Sequence, residues 1–220
     1  MPLEGGGMEI FMKMLKRIVS FICIAVLSAA VLPPAYAKGE SVILSESFEN
    51  FADNGTEISA AVKMTAGVDR RVIREEGGSN KALYSKAWGC SAKAVATIDF
   101  PDDAIETTYS AKIKVSGNRG GGQFFTLSDT NRSVTILKLD TAGVLRLSNG
   151  KKVADLPYGK WNEYTVTVDW RKQIFSVYIN EKKVVAASYL PSENYLPIKE
   201  ISWLVNEPDE GFAEFYIDDV

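Results

Sequence analysis

The sequence predicts an all-β fold, a two-sheet antiparallel β-sandwich of the jelly-roll kind, and three observations carry that expectation. Apolar residues alternate in steps of two, short apolar stretches recur at close spacing with Gly, Asn and Asp between them, and no helical period follows the N-terminal apolar run. The alternation is clearest from Gly159 to Ala187. There Tyr164, Val166, Val168 and Trp170 share one side and Thr165, Thr167 and Asp169 the other, and after Arg171-Lys172-Gln173 the pattern resumes at Phe175, Val177 and Ile179. Successive strand side chains point to opposite faces, so this is a half-buried hairpin, and Val184 to Ala187 adds a third strand after a turn at Asn180 to Lys183. Such a meander needs a second layer to cover its apolar side.

The N-terminus is a separate matter. Lys13, Lys16 and Arg17 precede an apolar run from Ile18 to Leu32, and Ala35-Tyr36-Ala37 has the small-x-small form of a signal-peptidase site. Residues 1–37 are therefore expected to be a removed signal peptide, with cleavage before Lys38, and residues 38–220 a single domain. The apolar run is short for a membrane span of about 20 residues, and Pro33-Pro34 ends it. Glu4 and Glu9 sit oddly in an n-region, which suggests a true start at Met8, Met12 or Met14. The expected location is extracellular or at the cell surface, with no membrane association after cleavage.

Cleavage removes three basic and two acidic residues and leaves a net charge of −4. That balance excludes a nucleic-acid footprint and a polybasic membrane surface. Only Cys90 survives processing, so no intramolecular disulfide is available, and Cys90 is expected to be a small buried residue. The chain contains no His, which removes the commonest general base and zinc ligand.

The mature chain then reads as strands in order. Ser41 to Glu49 is a first strand with Phe48 turned inward, and Phe51 to Glu57 a turn-rich loop. Lys63 to Ala66, Arg70 to Glu75 and Ala82 to Ser85 are short strands, with a loop at Glu76 to Asn80. Lys93 to Phe100 alternates and stops at Pro101, and Glu106 to Val115 is long, with Tyr109, Ala111, Ile113 and Val115 on one face. Ser116 to Gly122 is glycine-rich and expected to be the most flexible insertion. Gln123 to Ser128 and Ser133 to Asp140 form a hairpin, and Gly143 to Ser148 and Lys151 to Asp155 flank Asn149-Gly150, the strongest short turn signal in the chain. Tyr195 to Val205 and Glu214 to Val220 are the last two strands. The chain stops in mid-strand at Val220, which suggests that the parent protein continues into further modules.

Lys160-Trp161-Asn162, Tyr164 to Asp169 and Phe175-Ser176-Val177-Tyr178-Ile179-Asn180 resemble the W-x-x-hydrophobic…D…Y-x-V-Y-V-N-G signature of concanavalin A-like (laminin G-like) jelly rolls. Phe215-Tyr216-Ile217-Asp218-Asp219-Val220 resembles the ending of many bacterial carbohydrate-associated jelly rolls, and Phe48-Glu49 the F-E pair of their opening strand. Glu181 departs from the family's Gly, and a longer loop through Lys182-Lys183 is expected there in place of a tight turn. The resemblance implies a structural calcium, with Glu49 and Asp218 as the positions to supply hard oxygen ligands.

For function, the resemblance implies a polysaccharide or cell-surface glycan as partner, met on the concave sheet by a monomer or one module of a multimodular protein. A ring stacks on a sugar face while polar groups bond its hydroxyls. Trp88, Tyr109, Arg119, Gln123 and Trp203 are the candidate binding residues. Trp88 stands beside Gly89 in a loop-like setting, Arg119 in the glycine-rich loop, and Trp203 in a strand apolar throughout. Trp161 and Trp170 are assigned to the core. No E-x-D-x-x-E string is present for a retaining glycosidase, whose two carboxyls stand about 5 Å apart. Glu207-Pro208-Asp209-Glu210 reads as a solvated turn, and Tyr109, Arg119 and Gln123 imitate only part of a lyase set. A secreted non-catalytic carbohydrate-binding module is the first expectation; a glycoside hydrolase or lyase of the same fold, or a structural spacer, are the alternatives.

Overall fold

The computed structural model describes residues 44–55, 61–74, 80–100, 104–191 and 198–220. The expected signal peptide and its cleavage point lie outside these residues. Among the described residues there are fourteen strands: β1 (Val62–Ala66), β2 (Val68–Arg74), β3 (Lys81–Ala87), β4 (Ala92–Thr97), β5 (Glu106–Gly117), β6 (Gly122–Ser128) and β7 (Ser133–Leu139), followed by β8 (Val144–Leu147), β9 (Lys152–Asp155), β10 (Asn162–Asp169), β11 (Ile174–Ile179), β12 (Lys182–Tyr189), β13 (Glu200–Val205) and β14 (Ala213–Asp218). They form two seven-stranded sheets. Sheet I runs β1-β4-β13-β6-β7-β8-β9 and sheet II runs β12-β11-β10-β5-β14-β3-β2. Every pairing is antiparallel. The expected two-sheet sandwich is the observed fold.

The two-residue period sets the core. In sheet II, Tyr164, Val166 and Val168 of β10 lie opposite Ala111, Tyr109 and Thr107 of β5, and Phe215 and Ile217 of β14 opposite Val115 and Ile113. From sheet I come Ala92, Ala94 and Ala96 of β4 and Ile201, Trp203 and Val205 of β13, all buried. The alanines leave room for Trp203, whose register partner is Ala94. Irregularities in the β6–β7 pairing on either side of Phe125 let consecutive rings both turn inward: Phe124 meets Tyr164 edge-on and Phe125 meets Trp203 edge-on.

Several local expectations are corrected. Ser41 to Glu49 is not a strand in its described part; Glu46 and Val220 instead exchange two backbone hydrogen bonds, and Phe48 is buried at a positive φ of 54°. Ile179 pairs directly with Lys182, so Asn180 and Glu181 make a tight two-residue turn with φ of 48° and 65°, the backbone that primed hairpin turns require. No longer loop replaces it. The glycine-rich stretch after β5 serves close approach rather than looseness. A Cβ on Gly120 would stand 2.0 Å from Asn206 O, and one on Gly122 2.3 Å from Leu204 O. Gly121 O accepts from Asn206 N–H at 2.6 Å, which locks this loop to the end of β13.

Candidate functional site

Four connections meet at one end of the sandwich. The β3–β4 loop is tied to the β13–β14 loop through Ser91 Oγ–H donating to Asn206 Oδ1 at 3.0 Å and Gly89 N–H donating to Glu207 Oε1. The β5–β6 loop joins them through Asn118 N–H to Phe212 O, and the β7–β8 turn through Arg119, which donates to Ala142 O at 2.8 Å. Just inside this rim, on the outer face of sheet I, lies a cavity of about 580 Å³. That size falls in the range of small-ligand pockets, roughly 300–1,000 Å³. Gln123, Lys138, Asp140, Arg146, Ser148 and Asn206 give it polar groups, and Leu204 an apolar wall.

The strand pattern explains why these side chains meet. Inward-facing Leu137, Leu139, Leu145 and Leu147 alternate with Lys138 and Arg146, so the two cations project outward from β7 and β8 as direct cross-strand partners. Asp140, at the end of β7, fixes the geometry. Its Oδ1 accepts from Ala142 and Val144 N–H at 3.0 and 2.8 Å, and its Oδ2 accepts from Arg146 Nε at 2.8 Å. The Val144 N–H first, then the Arg146 guanidinium, hold the Asp140 carboxyl below its ordinary value of 3.8. Arg146 Nη1 also donates to Gly150 O at 3.3 Å, so the guanidinium is held from two sides. Beside the pocket a row of small side chains crosses sheet I from Val95 through Ser202 and Thr126 to Thr135. Thr126 and Thr135 share a hydroxyl hydrogen bond at 3.2 Å.

Of the residues singled out in the sequence, Gln123 is exposed and lines the pocket. Trp88 is 63% exposed on the rim loop tied to Asn206. Arg119 is exposed at the same end, but its guanidinium is engaged by Ala142 O and lies 5.7 Å from the Tyr158 ring centre. Tyr109 and Trp203 are inside the sandwich. Trp203 is 0% exposed and Tyr109 meets Phe125 across the core, so neither ring offers a face to a ligand. Trp170 is in the core as expected, with its Nε1–H on Thr107 Oγ1 at 2.9 Å. Trp161 is not. Its odd position puts it on the outer face of sheet II, edge-on to Tyr216 and 5.2 Å beneath the Lys114 ammonium. Cys90 is exposed in the Trp88 loop rather than buried. Lys138, Asp140, Arg146 and Asn206 were missed as site residues, although the charges at alternate positions on either side of the β7–β8 turn were available as a signal.

Glu49 and Asp218 come close enough for the Glu49 charge to act on Asp218. Burial, first of all, raises Asp218 to about 6, with Asp219 and Glu49 adding to it against a backbone hydrogen bond. Asp218 Oδ1 is buried without a hydrogen-bond donor, an oxygen of the kind a hard cation takes up. Glu49 Oε1 accepts from Lys81 N–H at 2.8 Å. Among the described residues no group of three or more His, Cys, Asp or Glu side chains is gathered to hold a metal. The pair fits a cation at this end of β14 only as two carboxylate ligands completed by other oxygens.

No protein-family model and no curated protein matches the sequence. Solved structures do match, as likenesses of fold. A sialidase is similar at a TM-score of 0.58 and 17% identity over 80% of this chain, which spans only 18% of that protein. A carbohydrate esterase from the Shiga toxin-encoding bacteriophage phi24B is similar at 0.54 and 13% identity, over 82% of this chain and 97% of that one. The cellulose induced protein Cip1 is similar at 0.51 and 14% identity, over 80% and 94%.

Proposed function

We propose that this chain is an exported, non-catalytic carbohydrate-binding module of concanavalin A-like fold, and that it takes a polysaccharide or cell-surface glycan on the outer face of sheet I. The observation that carries the reading is the 580 Å³ pocket, where Gln123, Asn206 and the two cations surround an apolar wall at Leu204. Hydroxyl-rich ligands need this mixture of fixed polar groups beside apolar surface. Trp88, exposed on the rim, is the ring available to stack on a sugar face beyond the pocket. The similar sialidase, carbohydrate esterase and cellulose induced protein bear names that agree with a carbohydrate-related role.

Binding without turnover is favoured by the state of the acid in the pocket. Asp140 accepts three hydrogen bonds, so its oxygens are occupied in holding the β7–β8 turn and Arg146 rather than aimed at a substrate. Its depressed pKa also unsuits it for work as a general acid. At the end of sheet II where β14 finishes, Glu49 and Asp218 would hold a structural calcium that ties the opening segment to the last strand.

The test is a glycan array probed with the secreted protein, followed by reducing-end and unsaturated-product assays on whatever binds. Binding without product is the expected result. Product formation would replace this reading with an enzyme, and silence in both would favour a spacer.

A further inference from the structure

We infer that the sugar taken by the sheet I pocket is acidic, its carboxylate or sulfate held between Lys138 and Arg146; this rests on the glycan-binding reading above and narrows it. The two cations are direct register partners on β7 and β8. Like charges opposite one another on a sheet face cost stability, and an anion between them turns that cost into attraction. The chain as a whole carries a net charge of −3, so the pocket opposes the molecule's overall sign.

Asp140 does not cancel the pair. It sits behind Arg146 on the Nε side and answers one positive charge of two. What remains faces the ligand. Arg146 gives Nε to Asp140 and one Nη1 hydrogen to Gly150 O, so Nη2 and the second Nη1 hydrogen keep no partner among the described residues. These N–H groups of one planar guanidinium are suited to two oxygens of one oxyanion. Because both flanks are pinned, little conformational freedom is lost on binding. Lys138 is exposed and has no ion-pair partner among the described residues, and adds a movable second charge.

Neutral groups complete the recognition. Asn206 Oδ1 already accepts from Ser91 Oγ, which leaves the Asn206 amide N–H groups for a ring oxygen or hydroxyl. Gln123 lines the same cavity. A neutral sugar would satisfy these two residues and leave the cations facing each other.

The secreted protein should be titrated calorimetrically with a panel of acidic polymers beside uncharged counterparts of the same backbone. Polygalacturonate against its fully methyl-esterified form probes carboxylate, and dextran sulfate against dextran probes sulfate. At least one acidic polymer is expected to bind about tenfold tighter than its neutral partner. The preference should shrink as NaCl rises from about 50 mM to about 500 mM, because salt screens partly exposed charges. Lys138→Gln, an exposed substitution that leaves the inward leucines alone, should remove most of the preference without lowering the melting temperature. Arg146→Lys keeps the charge but loses the fork, and should weaken it further. Equal binding of charged and neutral forms would overturn the inference and leave glycan binding intact. Acid preference that survives both substitutions would also overturn it, since the anion would then sit elsewhere. No binding to any polymer, acidic or neutral, would remove the glycan reading itself.

Discussion

The outer faces of the two sheets are built from similar side chains and put to opposite use. On sheet II, Tyr84 and Tyr216 stand with ring centres 5.0 Å apart, Trp161 meets Tyr216 at 6.2 Å, and the Lys114 ammonium lies 4.4 Å from the Tyr216 ring centre. Glu214 then accepts from Tyr84 Oη at 3.2 Å, Tyr216 Oη at 3.1 Å and Ser116 Oγ at 2.9 Å. Tyr84, Tyr216 and Trp161 each have a cation and another ring against them, and Glu214 takes up both tyrosine hydroxyls. On sheet I the cations face each other, and Asn206 and Gln123 retain donors. Aromatic content alone points to the other face. The face with unspent hydrogen bonds and unmatched charge is the one that can pay for a ligand's desolvation.

The comparison is broken most directly by removing the sheet II rings. Trp161→Ala combined with Tyr216→Ala should lower stability by about 3 kcal/mol, read by urea unfolding, because two half-buried rings and their cation contact are lost. Glycan affinity should stay within about twofold. A large loss of affinity with normal folding would mean that the ligand lies on sheet II.

Calcium at the end of β14 comes next. If Glu49 and Asp218 hold an ion, calcium at about 100 times its Kd should stabilise the protein by about 2.7 kcal/mol relative to EDTA. Asp218→Asn should abolish that difference in thermal melts. An identical melting temperature in calcium and EDTA for the unsubstituted protein would remove the ion. Glycan binding is expected to be the same in both conditions, since the sheet I pocket contains no such pair.

Smaller still is the effect of the neutral pocket groups. Gln123→Ala with Asn206→Ala should weaken binding by about 1–2 kcal/mol, roughly tenfold, while stability changes by no more than about 0.5 kcal/mol. The affinity should also be flat between pH 8 and pH 5. Asp140 has a folded pKa below its ordinary 3.8, so its stabilising contacts are fully present above that value and are lost only as pH falls through the lower, folded one. A fall in affinity between pH 7 and pH 5 would show that another group governs the pocket.

The fold was legible because a strand with one buried face must repeat every two residues. Tyr164, Val166 and Val168 could be placed in the core from spacing alone, and Asn149-Gly150 named its own turn. Trp161 was assigned to the core on the same alternation, but its odd position shares the parity of Thr165 and Thr167, which is the outer face. Trp203 was ambiguous for a different reason. Its strand is apolar on both sides, with Val95, Ser202 and Leu204 forming part of a sheltered outer floor. The pocket was the least legible part. Lys138 and Arg146 become partners only through the β7–β8 register, and Asn206 joins them through backbone contacts with Gly121 across β6 and β13. Those glycines read as flexible by composition because sequence shows small size, whereas the reason for small size is a neighbouring carbonyl.

The finest distinction between the faces rests on one residue of the β11–β12 turn. Glu181 lines a smaller cavity of about 370 Å³ on the sheet II side, with Trp161, Glu163 and Lys112. Its φ of 65° is left-handed, a conformation that costs a non-glycine residue about 1–2 kcal/mol relative to its usual backbone. Glycine would relieve that strain, but it also gains freedom in the unfolded chain, which offsets roughly 0.4–1 kcal/mol. Glu181→Gly should therefore raise stability by at most about 1.6 kcal/mol, a melting-temperature gain of a few degrees at this size. Because the turn belongs to sheet II, and Lys112 beside it already pairs with Asp219 at 2.7 Å, no change in glycan affinity is expected. If affinity for an acidic glycan rose on removing this carboxylate, the cavity on sheet II would be the one that meets the ligand, and the roles assigned to the two faces would be reversed.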